Sequence, residues 1–91
     1  MKLFYTARSL RHLQSIHDYI AQDNPAAADR VVRRIREATS RLENFPYTGR
    51  PGPKGTRLLS VPDVPYIVVH RVRRDQIDVL TILHTSRNRP F

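Results

Sequence analysis

The sequence has no cysteine and no tryptophan, and only three glycines among its 91 residues. The lack of cysteine excludes disulfides, thiolate zinc sites and cysteine nucleophiles, which fits a reducing cytosol. Apolar runs are also short: none approaches the roughly 20 residues of a membrane span. The N-terminus lacks the apolar stretch of a signal peptide. We therefore expect one cytoplasmic domain over residues 1–91, with no membrane partner.

Lysine is scarce as well, although the chain is strongly basic. Lys and Arg total 16 against 8 Asp and Glu, a net charge of +8, and only two of the cations are lysine. The planar fork of arginine grips carboxylate or phosphate bidentately, which lysine cannot do. This surplus favours nucleic acid, a ribosome-like surface or an acidic protein segment as partner. A solvated basic face with no partner is the alternative.

The first half of the chain predicts a strand followed by a helix. Lys2 to Tyr5 is a short strand, and Thr6 stands where a helix N-cap belongs. In the helix that follows, apolar residues recur every three or four positions, which predicts a single core face. These residues are Leu10, Leu13, Ile16 and Ile20.

A second helix begins directly after the first. Asn24 is a preferred N-cap, and Pro25 is tolerated at the first helical position. We expect the helix to run from Ala26 to about Asn44. The short connection makes the two helices an αα-hairpin. The apolar stripe of the second helix consists of Ala28, Val31, Ile35, Ala38, Leu42 and Phe45.

The second half of the chain predicts a loop and three strands. Prolines and glycines break all periodicity over residues 46–55. Strands are predicted at residues 57–61, 66–72 and 77–84. The order β-α-α-β-β-β predicts an α+β fold: an N-terminal strand, an αα-hairpin and a three-stranded antiparallel meander, with the helices packed on one face of the sheet.

Histidines are the first candidates for chemistry. His84 ends the last strand beside Ser86 and Arg87, where it could act as general acid or base in phosphodiester cleavage. His70 is either a second proton carrier or a half-buried neighbour on its strand. His12 and His17 are predicted to be surface residues of the first helix.

Other chemistries lack the residues that they need. No two His or carboxylates have a metal-ligand spacing with a third ligand nearby, so we expect no metal and no cofactor. Residues 49–55 are glycine-rich, but they lack the Gly-Lys-Ser/Thr ending of a phosphate loop, and their prolines delete amides that a phosphate cradle requires. Ser86 lies on no nucleophile elbow.

A basic cluster in the loop, the strands and the tail is the stronger signal. Adjacent strands could bring several of its members onto one side. Accessible aromatic residues are few, namely Tyr47, Tyr66 and Phe91, so sequence-specific recognition of single strands is not indicated. The cluster consists of Arg50, Lys54, Arg57, Arg71, Arg73, Arg74, Arg87 and Arg89.

Several segments along the chain are specific in their order and spacing when taken together. They are residues 10–13, 16–20, 24–28, 41–52, 55–57, 61–62, 65–72 and 82–84, with Arg87. In these segments the chain resembles, nearly end to end, toxins of the RelE/ParE superfamily of bacterial type II toxin–antitoxin modules. This resemblance implies a growth-inhibiting toxin with a cognate antitoxin, whose acidic C-terminal segment wraps it in a hetero-oligomer.

Within the superfamily, RelE-like members are ribosome-dependent ribonucleases and ParE-like members poison DNA gyrase. The ribonuclease branch carries an arginine after an aromatic residue on its third strand, whereas here Ile67 follows Tyr66. The Gly-Arg-Pro-Gly loop and the Pro-Tyr strand opening resemble the ParE-like branch. We therefore expect a non-enzymatic gyrase poison of the plasmid-stabilisation type. A ribosome-dependent mRNA endoribonuclease is the alternative, and a non-toxic member that only binds antitoxin or acts as co-repressor is the second.

The resemblance implies a set of binding or catalytic residues for each hypothesis. The residues expected to bind an amphipathic antitoxin helix and its acidic side chains are Leu13, Tyr19, Val32, Arg57, Arg71 and Arg73. For the toxin's target, they are Arg50, Lys54, Arg74, Arg87 and Arg89. Under the gyrase hypothesis no residue is catalytic. The ribonuclease hypothesis makes the catalytic set Lys54, Arg57, Arg71, His84 and Arg87.

Overall fold

Two helices lie on one face of a mixed sheet, which confirms the predicted α+β fold. A computed structural model describes residues 1–86 and the backbone of residues 89 and 90. The elements are β1 (Lys2–Tyr5), α1 (Ala7–Ala21), α2 (Pro25–Ser40), β2 (Arg50–Pro51), β3 (Arg57–Ser60), β4 (Tyr66–Arg73), β5 (Gln76–His84) and β6 (Arg89–Pro90).

The sheet has the strand order β1-β5-β4-β3-β2. The short strand β6 pairs with the end of β5, along the same edge as β1. Strands β3, β4 and β5 form the predicted antiparallel meander. Strand β1 is parallel to β5, which makes the sheet mixed. Parallel strands need a long crossover, and the helical hairpin begins that crossover. The N-terminal strand therefore closes one side of the sheet.

Both helices begin at the predicted caps. The Thr6 hydroxyl accepts a hydrogen bond from the Ser9 amide at 3.1 Å, and the Asn24 side chain accepts one from the Ala27 amide at 3.0 Å. Pro25 occupies the first position of α2, where a missing amide costs nothing. Neither helix is long and apolar enough to cross a membrane, as far as the described chain extends.

Helix α2 ends earlier than predicted, at Ser40 instead of about Asn44. Thr39 and Ser40 donate their hydroxyls to the carbonyls three residues before them, which weakens the helical ladder. A single 3₁₀ turn, Arg41–Glu43, then follows. Because the chain turns away here, Phe45 is exposed instead of completing the apolar stripe.

The core lies between the helices and the sheet. Ile16 and Ile35 from the helices meet Val68, Val79 and Ile82 from the sheet, and all five are fully buried. Leu10 was predicted to join this core face, and that prediction is wrong. Its side chain is 45% exposed and lines a groove on the helical hairpin instead.

The loop predicted over residues 46–55 contains a short strand and a 3₁₀ turn. Strand β2 pairs Arg50 with Leu58 of β3. Gly49, just before it, has φ +105°, and a Cβ at this position would lie 2.4 Å from the Leu58 carbonyl oxygen. Glycine is therefore required for the loop to approach the sheet so closely.

Candidate functional site

The arginines of the sheet divide between its two faces. Arg57 of β3 pairs with His70 of β4, and directly paired residues share a face. Since successive residues of a strand point to opposite faces, Arg71 lies on the helix-free face. Adjacent strands could bring several members of the basic cluster onto one side, and Arg57 is not among those on the helix-free face. Its guanidinium instead donates to the Gly49 carbonyl at 2.9 Å.

Asp78 organises the helix-free face. Its carboxylate accepts hydrogen bonds from Nε of Arg73 and Nε2 of Gln76, each at 2.7 Å. The bond from Arg73, followed by that from Gln76, lowers the pKa of Asp78 below its ordinary value. The Asp78 side chain is 13% exposed, whereas that of Arg73 is 63% exposed. Arg73 is thus held through Nε while much of its side chain faces solvent.

A second contact fixes the other arginine of this face. Nη2 of Arg71 donates to the Lys54 carbonyl at 3.2 Å and so ties the loop before β3 to the sheet. The side chains of Lys54, Arg50 and Arg74, which were predicted to bind the target, are all exposed. The other two residues predicted for that role, Arg87 and the side chain of Arg89, lie outside the described residues.

His84 stands apart from this basic face. It pairs with Tyr66 at the far end of β4, and the two rings meet edge to face at 5.4 Å. Its Nδ1 accepts a hydrogen bond from the Ser86 amide at 3.1 Å. Arg71 lies five residues along β4 from Tyr66, about 16 Å away at 3.3 Å per residue. The described members of the ribonuclease set therefore do not converge on one point.

His70 is fully buried, not half-buried. Its Nε2 lies 3.1 Å from the Pro46 carbonyl oxygen, to which it donates. Burial is the main cause that lowers the pKa of His70, opposed by this hydrogen bond and supported by the charge of Arg57. The side chain is out of contact with solvent. Its evident role is to anchor the loop after α2 to the sheet.

His12 was predicted to be a surface residue and is 7% exposed. Its Nδ1 accepts from the Thr81 hydroxyl at 2.8 Å and from the Ile82 amide at 3.3 Å. Burial, then the charges of Arg8 and Arg11, lowers the pKa of His12. The sequence carried a signal for this: His12 stands four residues before Ile16, on the same helical face.

A trough on the helical hairpin is the second candidate surface. One groove, of about 430 Å³, includes His17, Val32 and Arg36 in its lining. A second groove, of about 250 Å³, shares these three residues and adds Leu10, so the two are continuous. His17 was predicted to lie on the surface. It is partly exposed and bridges the helices through Asp29, 2.8 Å from Nε2.

The apolar residues proposed for antitoxin docking differ in their exposure. Val32 is partly exposed in the trough, and Tyr19 is 56% exposed. Leu13 is buried in the core and supports the trough wall from below. Among residues 1–86, no three His, Asp or Glu side chains are placed to hold a metal ion.

Comparison with known proteins gives concordant matches over nearly the whole chain. Residues 3–89 match the sequence model described as the ParE toxin of the type II toxin–antitoxin system parDE. The chain is 43% identical over 90 residues to toxin Y4kP of Sinorhizobium fredii, covering 98% of this chain and 93% of that protein. It is 33% identical over 87 residues to toxin RelE2 of Caulobacter vibrioides, covering 94% and 97%.

A solved structure agrees with these relatives. It comes from the chromosomal ParDE toxin–antitoxin system of P. aeruginosa and superimposes with a TM-score of 0.83 at 28% identity. The alignment covers 92% of this chain and 95% of the other.

Proposed function

The chain belongs to the ParE toxin family of type II toxin–antitoxin systems, and we propose that it arrests growth by poisoning DNA gyrase through protein contact. In this proposal a cognate antitoxin neutralises it, and no side chain of the toxin does covalent chemistry. Both partners recognise the chain through its basic and apolar surfaces.

The separation of His84 from the basic face is the observation that supports gyrase over messenger RNA as target. Cleavage next to a 2′-hydroxyl needs a proton carrier and phosphate-binding cations around one phosphate, within hydrogen-bond reach. Here His84 pairs with Tyr66, which lies five residues along β4 from Arg71. At 3.3 Å per residue this separation is about 16 Å. Ile67, at the position where the ribonuclease branch carries an arginine, is an apolar residue and cannot bind phosphate.

The hairpin trough supports the proposed antitoxin. Val32 and Leu10 offer apolar contacts, and Arg33 and Arg36 stand at the same groove. This combination fits an amphipathic helix with acidic flanks, docked by its apolar face. Arg71 and Arg73 lie on the opposite face of the domain from the trough. One antitoxin chain that contacts both the trough and these arginines must therefore wrap around the sheet.

Charge complementarity predicts how the association rate of the toxin–antitoxin complex depends on salt. The toxin carries a net charge of +8, and opposite charge on the partner accelerates association at low salt. The association rate should therefore fall as salt screens the charges, while the apolar trough contacts hold the dissociation rate nearly constant.

Two assays on the purified toxin, run side by side, test the proposal. One measures supercoiling by gyrase and the other measures messenger cleavage on programmed ribosomes, each with and without the antitoxin. We expect supercoiling to be inhibited, messenger to remain intact, and the antitoxin to restore supercoiling. Cleaved messenger with unaffected gyrase would overturn the proposal in favour of the ribonuclease.

A variant sharpens the comparison. His84→Ala removes the only histidine at the proposed ribonuclease end of β5, and it leaves the basic face intact. Under the gyrase proposal this variant still arrests growth, whereas a ribonuclease would lose its proton carrier and about 10² or more in rate. If expression of the unaltered chain does not arrest growth at all, the chain is a non-toxic member that serves only in antitoxin binding or co-repression.

A further inference from the structure

A depression of about 480 Å³ lies at the end of the sheet where β1 meets the β4–β5 turn. It is lined by Lys2, Phe4, Arg74, Asp75 and Gln76. Its volume is within the range of small-molecule sites, large enough for a nucleotide. It is on neither the helical trough nor the loop before β3, and of its lining residues only Arg74 has been assigned a role above, as a candidate target contact.

Phe4 gives this depression an exposed aromatic wall. In β1, Leu3 and Tyr5 pack against the core, so Phe4 between them points to the helix-free face. It pairs with Asp78 and is 46% exposed. The aromatic residues that the sequence marked as accessible did not include Phe4, and one of them, Tyr66, is buried. An exposed ring among cations is a stacking platform for bases.

Two arginines lie on the same face of the sheet as Phe4. Arg71 pairs with Asp78 and Arg73 with Gln76, so the two arginines stand on one face at adjacent rows, about 7 Å apart. The Lys54 carbonyl holds one guanidinium and the Asp78 carboxylate holds the other. The spacing of these two strand positions is close to the distance between successive phosphates of an extended single strand.

The local charge favours a polyanion despite the two carboxylates present. Asp78 is engaged by Arg73 and Gln76, and Asp75 lies in the turn. Against these two acids stand four cations, namely Lys2, Arg71, Arg73 and Arg74.

We propose that this surface binds single-stranded nucleic acid without sequence preference. One base stacks on Phe4 in the depression, while Arg71 and Arg73 hold the adjoining phosphates. An acidic peptide would satisfy the arginines, but it would leave the aromatic wall and the depression unused. Because Arg71 and Arg73 are also candidate antitoxin contacts, nucleic acid and an acidic antitoxin segment would compete for this face.

Fluorescence anisotropy with the purified full-length chain and a labelled oligothymidylate of about 20 nucleotides tests the proposal. Phe4→Leu removes the stacking ring and should weaken binding at least about fivefold. Phe45→Leu removes an even more exposed ring elsewhere, 67% against 46% for Phe4, and should leave affinity unchanged. Thermal unfolding of each variant verifies that the fold is retained.

The salt dependence tests the phosphate contacts separately. Arg73→Gln should reduce the slope of log affinity against log salt by about 0.7, the value for one phosphate contact on a single strand. Arg33→Gln removes an exposed cation from α2 and should leave the slope unchanged.

An abasic oligonucleotide of the same length distinguishes base stacking from plain charge attraction. We expect it to bind at least about fivefold more weakly than oligothymidylate, and polyglutamate at equal charge to displace oligothymidylate poorly. Equal affinity for the abasic strand, an unaffected Phe4→Leu variant, or ready displacement by polyglutamate would each overturn the proposal. The last result would identify the surface as a site for acidic peptides.

Discussion

Nδ1 of His12 accepts a hydrogen bond from the backbone amide of Ile82, 3.3 Å away across the helix–sheet interface. Strand β1 pairs with β5 only up to Val79, and β6 pairs with β5 only at Leu83 and His84. Between these two pairings, no strand of the described residues lies along this edge of β5. Side chains replace the missing strand here. The Thr6 hydroxyl donates to the Val79 carbonyl at 3.0 Å, and His12 accepts from the Ile82 amide.

Substitution of His12 should destabilise the domain, because it removes the acceptor of the Ile82 amide on this edge of β5. His12→Ala leaves the Ile82 amide buried without its acceptor, which costs about 1–3 kcal/mol. His12→Asn retains an acceptor at nearly the same place and should cost less. Urea unfolding followed by circular dichroism measures both variants. Equal losses for Ala and Asn would show that packing, not the hydrogen bond, is what matters.

Stability should also fall in mild acid. The pKa values of His12 and His70 both lie below 6.5 in the folded chain, mainly because both are buried. The unfolded chain therefore binds more protons as the pH falls below about 6.5, and protonation draws the equilibrium toward unfolding. The stability contribution of the neutral rings is fully present above this pH and is lost below it.

Thermal unfolding between about pH 7.5 and pH 5.5 measures this dependence. His12→Asn removes one of the two groups and should flatten the profile without abolishing it. His17→Asn is the control, because His17 is partly exposed on the hairpin surface. A profile that His12→Asn leaves as steep as before would contradict the assignment of His12 as a neutral acceptor.

The helix starts and strand positions were predictable because they depend on local chemistry. Thr6 and Asn24 cap helices with their own side chains, and the β-branched run of β4 leaves few alternatives to a strand. The end of α2 was not predictable in the same way. It depends on hydroxyl contacts at Thr39 and Ser40 that compete with the helix.

The candidate surfaces were predictable in composition but not in arrangement. Sequence placed Arg57 and Arg71 in one basic cluster, whereas strand register puts them on opposite faces of the sheet. The sequence predicts Phe4 only as part of a first strand, and the exposure of its side chain follows only once β1 is known to lie beside β5. Long-range pairing decides which side chains meet, and a single sequence does not encode that pairing locally.

Gly49 and Gly55 offer a matched test of the close approach of the loop to the sheet. Both have positive φ, but a Cβ at Gly49 would clash with the Leu58 carbonyl, while nothing lies within 4 Å of one at Gly55. Gly55→Ala should therefore cost only backbone strain, about 1–2 kcal/mol. Gly49→Ala adds the clash and should cost clearly more in urea unfolding. Equal costs would mean that strain alone explains both.

The hairpin trough gives the sharpest test of the proposed antitoxin contact. Val32→Glu places a carboxylate in the groove, where it removes an apolar contact and repels acidic flanks of the partner. Affinity for the cognate antitoxin, measured by titration calorimetry, should fall by at least about tenfold. Ala26→Glu adds the same charge to an exposed position of α2 that lines neither groove, and it should leave affinity nearly unchanged. Equal affinities for the two variants would place the antitoxin elsewhere, with the basic sheet face as the remaining candidate.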